Sequence, residues 1–248
     1  MEWTRGLTDM HCHVIPGVDD GVKDMEEALR MIKIEYEEGV RTIIATPHYR
    51  VGMFEPSFRE VQEQFLKLTW AAGKIFKDLK LYLGCEHHAN MEMEHQIAHG
   101  ICATMAGSRY VLVEFSYGDP RSYIREKLYT LISHGYRPVI AHAERYAAFR
   151  EDLSFLREMA ELGAEVQINA DTFLSNSLKT RRFCRQLLSE DLVHYIGSDG
   201  HGIHERIPRI GAAYEEILRR AGAEAAYEIF VENPRRMIND RRRSKPDV

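Results

Sequence analysis

A parallel α/β barrel of seven β-α units, one short of the usual eight, is the fold class this sequence predicts. Three observations carry it. Short apolar runs alternate with helical patterns almost to the end of the chain. No linker, low-complexity stretch or shift in composition interrupts them. Histidines and acids recur at or just after the apolar runs, at the same end of nearly every one. Alternating strands and helices argue for a parallel sheet covered by helices. A chain of 248 residues suits one such barrel as a single domain, residues 1–248.

The strands are expected at residues 7–11, 42–46, 81–85, 110–115, 138–142, 165–169 and 193–197. Between the first two, Asp24 and Glu27 read as a capping box, three residues apart at a helix start. Ala28, Met31, Ile32 and residues 34–36 follow at helical spacing, and Gly39 stands where a helix ends. Ser57 and Glu60 repeat the box before a longer helix with Val61, Phe65, Leu68, Ala72 and Ile75 on one face. Gly135, Gly163 and Gly222 close later helices in the same way. Residues 49–56 and 202–208 read as loops.

Composition narrows the function. The hydrophobic fraction of 44% supports a substantial core, and a net charge of -5 argues against a general nucleic-acid binder. The basic run Arg241-Arg242-Arg243-Ser244-Lys245 reads as a solvated terminus. Cys12, Cys85, Cys102 and Cys184 form neither a C-x-x-C pair nor a disulfide framework. The start Met-Glu-Trp-Thr-Arg has no apolar signal region, and no apolar run reaches the roughly 20 residues of a membrane helix. The expectation is a cytoplasmic protein with free thiols, no membrane insertion and no nucleic-acid partner; the oligomeric state is not legible.

Nine side chains stand out as metal ligands: His11, His13, Asp20, His48, Glu86, Glu114, His142, Asp199 and His201. Functional groups of β/α barrels sit at the C-terminal ends of the strands, and here nearly every candidate follows or ends one. Alternate residues of a strand share a face, so His11 and His13 point together and Cys12 points away. Ser198-Asp199-Gly200-His201 brings a second pair to the same mouth. One divalent ion takes three or four such ligands, so nine suffice for two or three. Imidazole and carboxylate without thiolate favour manganese, iron or catalytic zinc over a structural zinc site. Glu86 or Glu114 could bridge two ions about 3.5–4 Å apart, and such clusters turn water into a nucleophile at neutral pH. Arg145 and Arg206 lie on loops at the same end, and a guanidinium fork matches a phosphoryl group bidentately.

The remaining histidines read as structural. His87 and His88 are expected in a loop, His95, His99 and His134 exposed on helices, and His194 in the seventh strand facing away from the mouth or toward a helix; His204 sits in a candidate substrate loop. No cysteine is followed six residues later by arginine, which excludes the cysteine-based tyrosine phosphatase loop. Nucleotide-binding glycine loops and the G-x-S-x-G nucleophile elbow are absent.

Asp9-Met10-His11-Cys12-His13, Thr46-Pro47-His48, Gly84-Cys85-Glu86, Glu114, Ile140-Ala141-His142 and Ser198-Asp199-Gly200-His201 together resemble the polymerase and histidinol phosphatase (PHP) family. Val18-Asp19-Asp20-Gly21, Gly52-Met53-Phe54-Glu55, Ala141-His142-Ala143-Glu144-Arg145-Tyr146, Gln167-Ile168-Asn169 and Glu232-Asn233-Pro234-Arg235 resemble, within it, the manganese-dependent protein-tyrosine phosphatases of bacterial capsule and exopolysaccharide loci. The resemblance implies a distorted (β/α)7 barrel with a trinuclear site. His11, His13, Glu86 and Asp199 would hold one ion, Glu86, Glu114 and His142 a second, and Asp20, His48 and His201 a third. Arg145 and Arg206 would hold the substrate phosphate. The implied substrate is phosphotyrosine in a protein, the tail of a bacterial tyrosine kinase controlling polysaccharide export. Small-molecule phosphomonoesters such as histidinol phosphate, phosphodiesters, and a non-catalytic kinase-docking role are the alternatives.

Overall fold

The structure is a computed structural model that describes residues 6–240; the N-terminal start and the basic run at 241–245 lie outside the described residues. Its strands are β1 (Leu7–Cys12), β2 (Val40–Ala45), β3 (His48–Tyr49), β4 (Lys80–Leu83), β5 (Glu86–His88), β6 (Tyr110–Glu114), β7 (Arg137–Ile140), β8 (Glu165–Asn169) and β9 (Tyr195–Gly197). All named pairings are parallel. They form two sheets, in the orders β1-β2-β4 and β3-β5-β6-β7-β8-β9. A bridge from Cys12 to Gly200 joins β1 to the end of β9. Since β2 runs on into β3 and β4 into β5, two staves pass from one sheet to the other, and the wall has the seven staves the sequence implies.

The two interrupted staves have local causes. Pro47 has no N–H to give a ladder, and the Thr46 hydroxyl takes the Cys12 N–H at 2.9 Å. At Gly84 a Cβ would come within 3.0 Å of both Ile44 Cγ2 and Met105 Sδ. Backbone bonds from Gly84 N to Ala45 O (2.8 Å) and from Glu86 N to Pro47 O (3.0 Å) carry the wall across the breaks. Closure between the first and last staves needs Gly197, where a Cβ would meet His11 Cβ at 2.5 Å.

Met10, Ile44, Leu112, Val139, Ala141 and Tyr195, contributed by five strands and the residue following β7, form one buried cluster inside the barrel, with Met237 from the C-terminal helix closing its lower end. A larger cluster lies between the wall and the outer helices. On the Met25–Glu37 helix, Met31, Ile32 and Glu35 are buried. Glu35 accepts the Cys12 thiol at 3.3 Å, so Cys12 does point away from its histidine neighbours.

Several details differ from expectation. The Ser57 box is complete. At Asp24 the side chain caps Glu27 N, but the Glu27 carboxylate turns to Lys23 N. Ile75 is 58% exposed, because its helix ends there and leaves the core. His87 is buried on β5 against Tyr49 rather than in a loop. The seventh stave starts at Tyr195, since His194 uses its ring to cap Val166 N. Residues 50–54 form a tight turn closed by an Arg50–Phe54 bridge. Among the described residues, no helix is long and apolar enough to cross a membrane.

Candidate metal centre

All nine candidate ligands read from the sequence converge at the C-terminal mouth of the barrel. His11 is the last residue but one of β1 and His13 follows the strand, His48 opens β3, Glu86 opens β5 and Glu114 ends β6. His142 follows β7, and Asp199 and His201 follow β9. Ligand atoms of His11, His13, Glu86 and Asp199 lie within 4.8 Å of one another, as do those of His13, His48 and His201 and those of His48, Glu86 and Glu114. His142 Nε2 lies 2.8 Å from Glu86 Oε1 and 3.9 Å from Glu114 Oε1. Asp20 Oδ1 is 3.5 Å from His48 Nε2 and 3.6 Å from His201 Nε2. Glu86, wholly buried, is the hub.

Ring orientation is set from outside the cluster. His11 Nδ1 faces the Gln167 Oε1 acceptor at 3.1 Å, His13 Nδ1 faces Asp19 Oδ2 at 2.8 Å, and His201 Nδ1 faces the Asp199 carbonyl at 2.9 Å. Each outward Nδ1–H leaves an Nε2 lone pair facing inward, the tautomer a metal-ligating histidine needs. Inside, His11 Nε2 and His13 Nε2 stand 3.2 Å apart, and both lie 3.1–3.2 Å from Glu86 Oε2. Glu86 Oε2, Glu114 Oε2, His48 Nδ1 and His201 Nε2 are buried without a hydrogen-bond partner. Buried lone pairs turned on one another are costly unless a cation lies between them, so the donor set fits divalent ions.

Electrostatics agree. Burial alone would raise Glu86, but the charges of His11 and His48 hold its carboxyl well below the usual range. Asp199 is likewise depressed against its burial by His11 and His13. Burial and the nearby Glu86 charge lift Glu114 to about 7. Burial pulls His48 down to about 4, and burial with the His13 and Arg206 charges takes His201 to about 2. His11 and His13 move the other way: burial opposes their charge, yet Glu86 and Asp199 raise His11, and Asp19 raises His13 well above its ordinary value.

Above the cluster opens a cavity of ≈ 320 Å³ whose rim includes Arg50, Phe54, His88, Tyr117, Arg145 and Arg206. Arg145 Nη2 lies 2.7 Å from Asp199 Oδ2 and Arg206 Nη2 lies 2.5 Å from Asp199 Oδ1, so the two arginines clasp one carboxylate from opposite oxygens. His142 (φ 32), Asp199 (φ 51) and Arg206 (φ 50) all adopt left-handed backbone. Non-glycine residues pay about 1–3 kcal/mol for this, and such strain gathers at functional sites. A cavity of ≈ 370 Å³ at the opposite end, beside His194 and Glu165, holds none of the nine. His204 is exposed and lines neither cavity.

Sequence reasoning assigned no role to Asp19, Gln167, Asn169, Asp9 or Tyr146. Asp19 also takes the His48 N–H at 2.9 Å. Gln167 Oε1 also accepts the His142 N–H at 2.7 Å, its amide donates to Asn169 Oδ1 at 2.8 Å, and Asn169 Nδ2 donates to Asp199 Oδ2 at 2.7 Å. Asp9 Oδ1 takes the N–H groups of His11 and Ser198, and the Tyr146 hydroxyl lies 3.2 Å from His142 Nδ1. The usable signal for Gln167 and Asn169 was strand alternation, which puts them on one face of β8.

The family model described as capsular polysaccharide synthesis, CpsB/CapC, matches residues 7–239. The tyrosine-protein phosphatase CpsB of Streptococcus pneumoniae is 35% identical over 240 residues, which cover 94% of this chain and 99% of the relative. The tyrosine-protein phosphatase YwqE of Bacillus subtilis (strain 168) is 31% identical over 240 residues, 94% of this chain and 92% of that one. A crystal structure from work on YwqE and CpsB, described there as unique metal-dependent tyrosine phosphatases, matches with a TM-score of 0.88 at 30% identity, covering 95% of this chain and 96% of the other. The matched span runs through every stave that carries a candidate ligand, and the chain belongs to the CpsB/CapC family of capsular polysaccharide synthesis.

Proposed function

We propose that this chain is one metal-dependent phosphatase domain that hydrolyses phosphotyrosine in a protein. The observation that carries the reading is the ring orientation: His11, His13 and His201 donate Nδ1–H outward, the Nε2 atoms of His11 and His13 face the buried Glu86 and Asp199 carboxylates, and that of His201 faces Asp20. His11, His13, Glu86 and Asp199 would hold one divalent ion. Glu86, Glu114 and His142 would hold a second, and Asp20, His48 and His201 a third. Manganese is the metal we assign, with iron or zinc as alternatives for the same donor set. Bound cations supply positive charge to the phosphoryl oxygens and make water acidic enough to attack at neutral pH.

The chain's own groups do the rest. Arg145 and Arg206 neutralise the oxygens on which charge grows. The leaving phenolate, with a pKa near about 10, needs little help from an acid. Tyr117, 65% exposed at the rim, offers a face for a flat aromatic ring. An open rim of this kind suits a side chain on a protein better than a small metabolite. The finer substrate is the phosphorylated tail of a bacterial tyrosine kinase, supported by the family's link to capsule synthesis. The four free, buried thiols support a cytoplasmic setting.

The test is chelation followed by add-back. Chelated enzyme should lose turnover of a phosphotyrosine peptide and regain it with manganese. Histidinol phosphate and a nucleotide diester should be turned over at least about a hundredfold less efficiently. Full activity in rigorously metal-free protein, or a preference for either small substrate, would overturn the reading.

A further inference from the structure

A second cavity, of ≈ 350 Å³, adjoins the mouth and shares Tyr117 and Arg145 with it. Beyond that shared wall it is lined by Arg150, Lys179, Thr180 and Phe183. Arg150 and Lys179 are exposed, and neither is ion-paired with a carboxylate among the described residues. That sets them apart from the nearby Arg121, Arg125 and Arg157, which pair with Asp152, Glu158 and Glu190. The single acid on the lining, Glu144, is turned to the protein: its Oε1 takes Asn169 N at 3.1 Å and the Thr172 hydroxyl at 2.7 Å. Phe183 packs against the core and Tyr117 stands at the border, which gives the cleft apolar surface beneath its charges.

We infer that this cleft is a second anion subsite, which takes an acidic group next to the scissile phosphotyrosine in the same polypeptide. The inference deepens the proposed function and rests on reading the mouth as the phosphotyrosine site. A peptide seated there passes the Tyr117–Arg145 wall and carries its neighbouring side chain into the cleft. Two cations beside a hydroxyl fit a carboxylate or a second phosphorylated side chain. The enzyme thereby selects acidic or multiply phosphorylated segments over neutral ones.

The test compares kcat/KM for three peptides at low and at 0.5 M salt. One carries phosphotyrosine flanked by alanine, one flanked by glutamate, and one with a second phosphotyrosine nearby. The wild type should prefer the acidic or doubly phosphorylated peptide about tenfold or more, through KM rather than kcat, and less in high salt. Whichever of those two gains more identifies the anion. The Arg150→Ser/Lys179→Ser double variant should bring the ratio close to one, and the charge-keeping Arg150→Lys/Lys179→Arg should restore most of it. Equal kcat/KM on all three peptides in the wild type, or a ratio unchanged in the double variant, would overturn the subsite and leave the phosphatase reading standing. No turnover of any phosphotyrosine peptide with manganese present would overturn both.

Discussion

Gln167 Oε1 accepts from His11 Nδ1 at 3.1 Å and, with the same oxygen, from the His142 N–H at 2.7 Å. One carboxamide on β8 thereby fixes the ring of a residue on β1 and the backbone of a residue beyond β7. The backbone donor also settles which way the amide points, so its NH2 must go to Asn169 and onward to Asp199. Groups that orient metal ligands in this way typically contribute about 10–100-fold in affinity. Gln167→Met keeps the volume and removes the acceptor. It should weaken divalent-ion binding by about that factor in a metal titration, with an unchanged circular dichroism spectrum. Wild-type affinity in the variant would remove Gln167 from the design.

Proton release should accompany ion binding. The carboxylates of Glu86, Asp199 and Asp19 shift His11 and His13 toward their protonated forms, whereas a ligating imidazole must be neutral. Affinity should therefore climb with pH and fall as the solution is acidified, by up to about tenfold per unit for each proton displaced. Calorimetry at pH 7 in buffers of contrasting ionisation heat should detect at least one proton leaving. Identical heats in every buffer would contradict the assignment.

Arg145→Lys and Arg206→Lys keep the charge and lose the planar fork. Each should lower kcat/KM on a phosphotyrosine peptide by about 10²–10³-fold, the range for a donor aimed at charge that develops during reaction. Metal titration should still show full occupancy. Steady-state kinetics with saturating manganese checks this, and near-wild-type efficiency in either variant would remove that arginine from phosphate recognition.

Glu35 predicts an unusual stability profile. It is fully buried, its Oε2 has no partner, and Asp9 Oδ2 behind His11 is in the same state. Burial, and then the Asp9 charge, raise the Glu35 carboxyl well above its ordinary 4.5. The folded chain thus binds this proton more tightly than the unfolded one. Its contribution is complete below about pH 4.5 and is lost as the pH rises toward the folded value. Glu35→Gln keeps an acceptor for the Cys12 thiol and removes the titration. Urea unfolding at pH 5, 7 and 9 should show the wild type losing more stability across the series than the variant. Parallel profiles would show that Glu35 does not titrate there.

That the nine candidate residues would gather was legible because metal chemistry confines such candidates to a few residue types and the barrel confines them to one end of its staves. His-x-His at the end of β1 and Asp-x-His after β9 needed only strand alternation and order along the chain. Helix starts at Asp24 and Ser57 were equally local. The groups that hold the ligands were harder to find. Gln167, Asn169 and Asp19 have neither a diagnostic residue type nor a fixed spacing to the histidines they orient; 156 residues separate Gln167 from His11. The breaks in the second and third staves depend on how Thr46 and Gly84 meet neighbours from elsewhere in the chain. His87 was misjudged for the same reason, since β5 exists only through its pairing with β3 and β6.

The double clasp on Asp199 couples two binding events. Its Oδ1, the oxygen held by Arg206, is also one of the atoms gathered with His11, His13 and Glu86. A cation held by that oxygen would compete with the guanidinium and leave it free for an incoming phosphate. A phosphate that captured both arginines would in turn leave the carboxylate free for the cation. Linkage requires the two effects to be equal, so inorganic phosphate should tighten manganese binding by the same factor as manganese tightens phosphate. The enzyme would then retain its metal best while substrate is on board.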